Sequence, residues 1–254
     1  ITFTPAGRIT PEIIAALFPA GFRNPTIGAR VFPAADKPLS IHGADGAKLD
    51  FVSAALTKMP SLALSPKGTA FGEAGFTALI GDNKERSAAG SFYTAASAAW
   101  SGAFSDAAII AVPYSGVWGA TALHTEEGWK IDLEAQIEPI VVDGIGTVDY
   151  ELTGVTARAT CRPVDMTAAS LAAALRPEGL NLGASLRQSK NLVITGLAGG
   201  LVVTLYDAVM TAAPAVWGAT ASRAGEITFE ASRKLDGSGT SGTPGAVFEI
   251  AIAS

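Results

Sequence analysis

From Thr147 onward the side chains alternate. Val148, Tyr150 and Leu152 are set against Thr147, Asp149, Glu151 and Thr153, and after Gly154 the series Val155, Ala157, Ala159, Cys161 is set against Thr156, Arg158, Thr160, Arg162. A period of two sends successive side chains to opposite faces of a strand, so one face is apolar and the other wet. Two adjoining runs of this kind predict an antiparallel pair. Ile227, Phe229, Ala231 and Phe248, Ile250, Ile252 repeat the pattern, whereas Ile109 to Val112 and Ile137 to Val142 predict more deeply buried strands.

An internal repeat organises the rest. Lys37/Lys190, Leu39/Leu192, Ile41/Ile194, Gly43/Gly196 and Gly46/Gly199 all lie 153 residues apart, as do Gly72/Gly225, Glu73/Glu226, Phe76/Phe229 and Ala78/Ala231. Lys, Glu and Phe matches are less common by chance than Ala or Gly matches, and the spacing holds without a gap, so the expectation is a duplication: repeat one over 1–117 and repeat two over 118–254. Each copy has a readable short helix. Thr10 as N-cap, Pro11 at the first helical position and Glu12 in the first turn precede Ile13, Ile14 and Leu17, and Pro19 is the stop. In the second copy Asp165 or Thr167 caps Leu171 to Leu175, with Pro177 and Gly179 as the stop. The expected fold is therefore mainly β, a duplicated sandwich or barrel unit with one short helix per copy.

Two segments break the repeat. Between Asp82 and Asp106 the first copy sets Phe92, Tyr93, Trp100 and Phe104 among Ala, Ser and Gly, where the second has the Gly/Ser/Thr loop Asp236 to Gly245. Aromatics on a small-residue background form either a satellite core or a contact surface. Subtracting the offset from Trp118 also leaves the first copy without counterparts of the strands near Lys130 to Asp149, which predicts that the native product begins before Ile1.

Composition removes several functions. With 254 residues and 28 Gly, the chain can bury a real core. Its 16% charged residues fall below the usual ~25%, so much of the surface is small or apolar and suits a partner. The net charge of −5 comes without a Lys/Arg cluster, which argues against tight nucleic-acid binding. The longest apolar stretch, Leu192 to Tyr206, is shorter than the ~20 residues a spanning helix needs, and the polar run His42 to Asp50 is its partner in the repeat. No membrane segment is expected.

Catalytic and cofactor motifs are not found. One Cys and two separated His residues make neither a disulfide framework nor a multi-ligand zinc site. Gly144-Ile145-Gly146 lacks a third glycine and leads into a strand, so it reads as a hairpin turn rather than a dinucleotide loop. Glu126-Glu127 beside Gly128 reads as a solvated turn, and Asp143, Asp149 and Glu151 lack the calcium-loop spacing. His42 reads as a polar strand position, and Cys161 as a small buried hydrophobe. No catalytic, cofactor or metal residue is assigned.

Three segments carry a family resemblance: Val141-Val142-Asp143-Gly144-Ile145-Gly146-Thr147-Val148-Asp149-Tyr150-Glu151-Leu152-Thr153-Gly154, Leu205-Tyr206-Asp207-Ala208-Val209-Met210-Thr211-Ala212-Ala213-Pro214-Ala215, and Gly225-Glu226-Ile227-Thr228-Phe229-Glu230-Ala231. They resemble the tail tube (major tail) proteins of long, non-contractile-tailed bacteriophages, over most of 128–254 and, through the repeat, over 1–115. The resemblance implies a β-sandwich or small barrel with a flanking helix, in rings stacked as a tube whose lumen conducts DNA. A tandem copy implies a trimeric ring with pseudo-sixfold symmetry. Implied partners are further copies of the chain, the tape measure and terminator proteins, and genomic DNA that passes without tight binding. The implied location is the virion, with assembly in the host cytoplasm. Asp149 and Glu151 are the candidate lumen-facing residues. A baseplate hub or distal tail protein would share the fold but form a single ring, and a secreted carbohydrate-binding or adhesin-like β-protein is a third reading.

Overall fold

The computed structural model describes residues 1–5, 11–32, 39–42, 46–51, 53–79, 93–97, 113–144, 146–164, 189–196, 200–212, 215–217, 222–234 and 245–252. The predicted second helix, the run Ile109 to Val112 and most of the 82–106 segment lie outside these residues. The order begins β1 (Thr2–Phe3), α1 (Pro11–Leu17), α2 (Ala20–Arg23), β2 (Leu39–His42), β3 (Ala47–Phe51), β4 (Ser53–Lys58), β5 (Leu62–Ser65), β6 (Gly68–Phe71), β7 (Ala74–Leu79) and β8 (Tyr93–Ser97). It continues β9 (Tyr114–Trp118), β10 (Thr121–Val142), β11 (Gly146–Pro163), β12 (Ser189–Gly196), β13 (Leu201–Ala212), β14 (Ala215–Trp217), β15 (Ser222–Ala224), β16 (Ile227–Lys234) and β17 (Phe248–Ile252). The fold is mainly β, as the alternation predicts.

A nine-stranded sheet runs β11-β16-β13-β12-β9-β10-β5-β6, with β17 added against β13. Because β10 also pairs with β11, six strands close on themselves and every pairing in the ring is antiparallel. Closure leaves those six strands with few open edges. Inside lie the apolar faces the alternation marks on β11 (Val155, Ala157, Ala159) and β16 (Phe229, Ala231), joined by Ile194 of β12 and Val203 and Leu205 of β13, all fully buried. Trp118 and Trp129 meet Phe229 at ring-centroid distances of 5.5 and 6.4 Å, and the Trp118 indole N–H donates to the Ala208 carbonyl at 3.0 Å. That bond satisfies the polar atom that burying a Trp brings with it. Gly116 makes room for the second ring, since a Cβ there would stand 2.2 Å from a Trp129 ring carbon.

The helices seal the region beside the barrel. Ile14 and Leu17 of α1 are buried as their spacing predicts, and Phe18 stacks on Phe71 at 6.4 Å. Pro19 does end α1, but it is also the N-cap residue of α2, which buries Phe22.

Three expectations are corrected. The runs on either side of Gly154 are one continuous strand, β11, whose partner is β10. Gly154 stands opposite Gln136, beside the irregularity at which Thr153 is the extra residue. Glu126, Glu127 and Gly128 form an irregularity inside β10 rather than a turn, since four steps from Thr125 to Trp129 answer two from Pro163 to Cys161. Gly128 has φ +93 and a Cβ there would stand 2.0 Å from the Leu64 carbonyl, so β5 can pair there only against glycine. Ile137 to Val142 is not buried: Val141 is 61% and Val142 41% exposed, because β10 and β11 run on past the barrel as a two-stranded ribbon.

Leu39/Leu192 and Phe76/Phe229, each 153 apart, sit in comparable antiparallel pairings, but their strand partners are 154 apart. β2 pairs with β3 through Leu39↔Phe51, and β12 with β13 through Leu192↔Leu205. Leu56↔Phe76 joins β4 to β7, and Met210↔Phe229 joins β13 to β16. β13 is continuous where the first half has the separate strands β3 and β4, which belong to different sheets. The division between 117 and 118 lies within β9.

Candidate assembly surface

The ribbon beyond the barrel is where this chain concentrates charge. Residues 134–153 hold five carboxylates and no Lys or Arg: Glu134 at the end of the barrel, opposite Thr156, and Glu138, Asp143, Asp149 and Glu151 on the ribbon. Their −5 equals the whole-chain balance of 18 − 23 = −5, so the remaining residues sum to zero. Glu138 is directly opposite Glu151 in the β10–β11 register. A like-charged cross-strand pair destabilises an isolated ribbon. Thr153 and Val148 are the extra residues at two β11 irregularities, between Gln136/Ile137 and between Ile140/Val141, and they add twist along the ribbon. At its tip Gly144 and Gly146 have φ +74 and +91, as the predicted hairpin turn requires.

The two candidate lumen-facing residues are in unequal positions. Glu151 is half-buried on the ribbon. Asp149 is 5% exposed, although its strand position places it on the wet face. The cause is residues 28–32, which lie along the outer edge of β11. The Gly28 amide donates to the Leu152 carbonyl at 2.8 Å, the Leu152 amide to the Ala29 carbonyl at 2.9 Å, and the Val31 amide to the Tyr150 carbonyl at 2.8 Å. Asp149 Oδ1 accepts from its neighbour Tyr150 at 2.7 Å and from the Phe32 amide at 3.3 Å. Its Oδ2 lies 3.5 Å from the Arg30 guanidinium, whose side chain is 69% exposed. Phe32 stacks on Tyr150 at 6.1 Å. Sequence reading missed this strap. Its signal is the short alternation Ile27, Ala29, Val31 against Gly28, Arg30, Phe32.

Beside the strap, a groove of about 470 Å³ runs between the helices and β4, lined by Ala15, Phe22, Val31, Ala55, Leu56 and Phe76 among others. Polar contacts elsewhere fasten barrel strands together. Arg158 donates twice to Glu230 across β11 and β16, at 3.1 and 2.7 Å, and that carboxylate holds the guanidinium proton above its ordinary range. The Tyr206 hydroxyl donates to Glu249 at 2.7 Å, which keeps the phenol protonated above its usual range. The Cys161 thiol is pushed up to about 12, chiefly by burial and further by Glu226, so it is not a thiolate near neutral pH.

Among the described residues, no group of three or more His, Cys, Asp and Glu is placed to hold a metal ion. No helix among them is long and apolar enough to cross a membrane. No family model matches the sequence, and no curated protein matches it. Among solved structures, the chain is similar to one described as the sheath-tube complex of an extracellular contractile injection system, PVC, in the extended state. The TM-score is 0.36 at 12% identity, over 56% of this chain and 90% of that one.

Proposed function

We propose that this chain is a structural subunit, without a catalytic site, whose copies close into rings that stack as a phage-type tail tube and let DNA pass. The observation that carries the reading is the β10–β11 ribbon. It leaves the barrel carrying four carboxylates and no Lys or Arg, and with Val141 and Val142 exposed at its end. An apolar tip in water favours contact with another surface, and an acidic lining repels phosphate instead of holding it. The sequence resemblance to tail tube proteins supports the same reading, through 205–215 and 225–231 as well as through the ribbon segment 141–154.

Head-to-tail contacts between unlike surfaces close into a ring when the rotation between copies permits. With a duplicated unit, three chains give six quasi-equivalent positions. Negative-stain microscopy of the purified chain tests this directly. Tubes with three chains per ring are expected. Single rings that never stack would favour a hub or distal tail protein, six chains per ring would defeat the trimer, and a monomer at high concentration would defeat the tube.

A further inference from the structure

We infer that residues 28–32 are a cover over the outer edge of β11, and that a strand from a second copy replaces them when chains assemble. The inference rests on the assembly reading above and says which surface is withheld until then. An uncovered strand edge presents unpaired amides and carbonyls to any passing chain. On β11 this edge is occupied in cis, by three backbone hydrogen bonds from 28–31 around the directly opposed pair Arg30 and Glu151.

The cover is lightly anchored. None of residues 28–32 is buried, whereas Leu152 beneath them is 3% exposed. Segments with few buried apolar contacts open at far lower free energy than the core does. What retains it beyond the backbone bonds is the Arg30–Asp149 pair, the Phe32 amide's bond to Asp149, the Phe32–Tyr150 stack and the half-buried Val31 against the core. Arg30 is mostly in water, where an ion pair contributes little. A replacement is at hand on a second copy: among the described residues β6, Gly68–Phe71, ends the sheet path and pairs with β5 alone, and its four residues match the length of edge the cover occupies. Displacement would also uncover Asp149 and return its carboxylate to the acidic face of the ribbon. The cover thus withholds an edge and a charge in the free subunit, and releases both together.

Two variants test the proposal. Arg30 and Glu151 are opposed without hydrogen bonding each other, a geometry that brings Cβ atoms close. In Arg30→Cys/Glu151→Cys, a disulfide should hold the oxidised chain as free subunits, while reduction restores assembly. The buried Cys161 thiol does not compete. Assembly of the oxidised form at the rate of the reduced form would overturn the inference. In Arg30→Ala/Phe32→Ala, hydrogen exchange at the Leu152 and Val31 amides should be roughly tenfold faster than in the unaltered chain, with Ile194 and Val203 in the barrel unchanged. Exchange at Leu152 that stays as slow as in the barrel would also overturn it. If the unaltered chain forms neither rings nor tubes, the functional reading fails, and the exchange measurement still decides whether the segment is a separable cover.

Discussion

At the scale of single residues, partners decide what an alternating pattern cannot. Asp149 and Glu151 are equivalent by sequence, two acids on one polar face. Only the strap, more than a hundred residues earlier in the chain, makes one of them buried. Cys161 was legible because its inward slot on the alternating strand is covered by the barrel's own core, with Trp129 and Ile227 in register beside it. Tyr206 is a further case, for its partner Glu249 lies on β17 and no local spacing announces it. The sign of its pH effect follows from the hydrogen bond. Glu249 raises the folded phenol pKa above the unfolded value of about 10, so the protonated phenol favours the folded state. The contribution is complete below about pH 10 and is lost as pH climbs through the raised value. Urea unfolding followed from pH 8 to 11 should show that loss, and Tyr206→Phe should flatten that part of the curve.

Among elements, the barrel strands were legible and the ribbon was misread, for one physical reason. Periodicity reports that a side chain avoids water, not which chain covers it. In β11 the faces of Val155, Ala157 and Ala159 are covered by this chain's own strands. Ile137 to Val142 carries the same apolar signal, yet Val141 and Val142 are left in water. Glycine signals were similarly ambiguous: Gly154 read as a break between two runs, but it lies inside one strand, opposite Gln136. If the ribbon tip is a contact surface, making it polar should separate folding from assembly. Val141→Ser/Val142→Ser should alter the unfolding free energy of the free subunit by no more than about 1 kcal/mol, because the lost side chains are exposed. Sedimentation velocity of the variant should show only free subunits at concentrations where the unaltered chain polymerises. Polymerisation at an unchanged threshold would remove the tip from the interface.

For the whole molecule, the distribution of charge matters more than its sum. A net −5 spread evenly over 254 residues would say little about DNA, but all of it falls within 134–153. The Glu138–Glu151 pair contributes two of those charges, directly opposed and therefore costly to the ribbon's own stability. A cost of that kind is understandable where the field serves the assembly. Asp149 is a poor position at which to test the field, because replacing it would also break the Phe32 and Arg30 contacts. Glu134→Lys/Glu138→Lys instead changes the charge of 134–153 from −5 to −1 and keeps Asp149 and Glu151, which face the strap. Rings and tubes should still form, and duplex DNA should now be retained by them at low salt. Each phosphate that a lysine neutralises should add about −0.9 to the slope of log K against log salt concentration. Retention of DNA by the unaltered tubes with the same slope would show that the ribbon carboxylates do not face the passage.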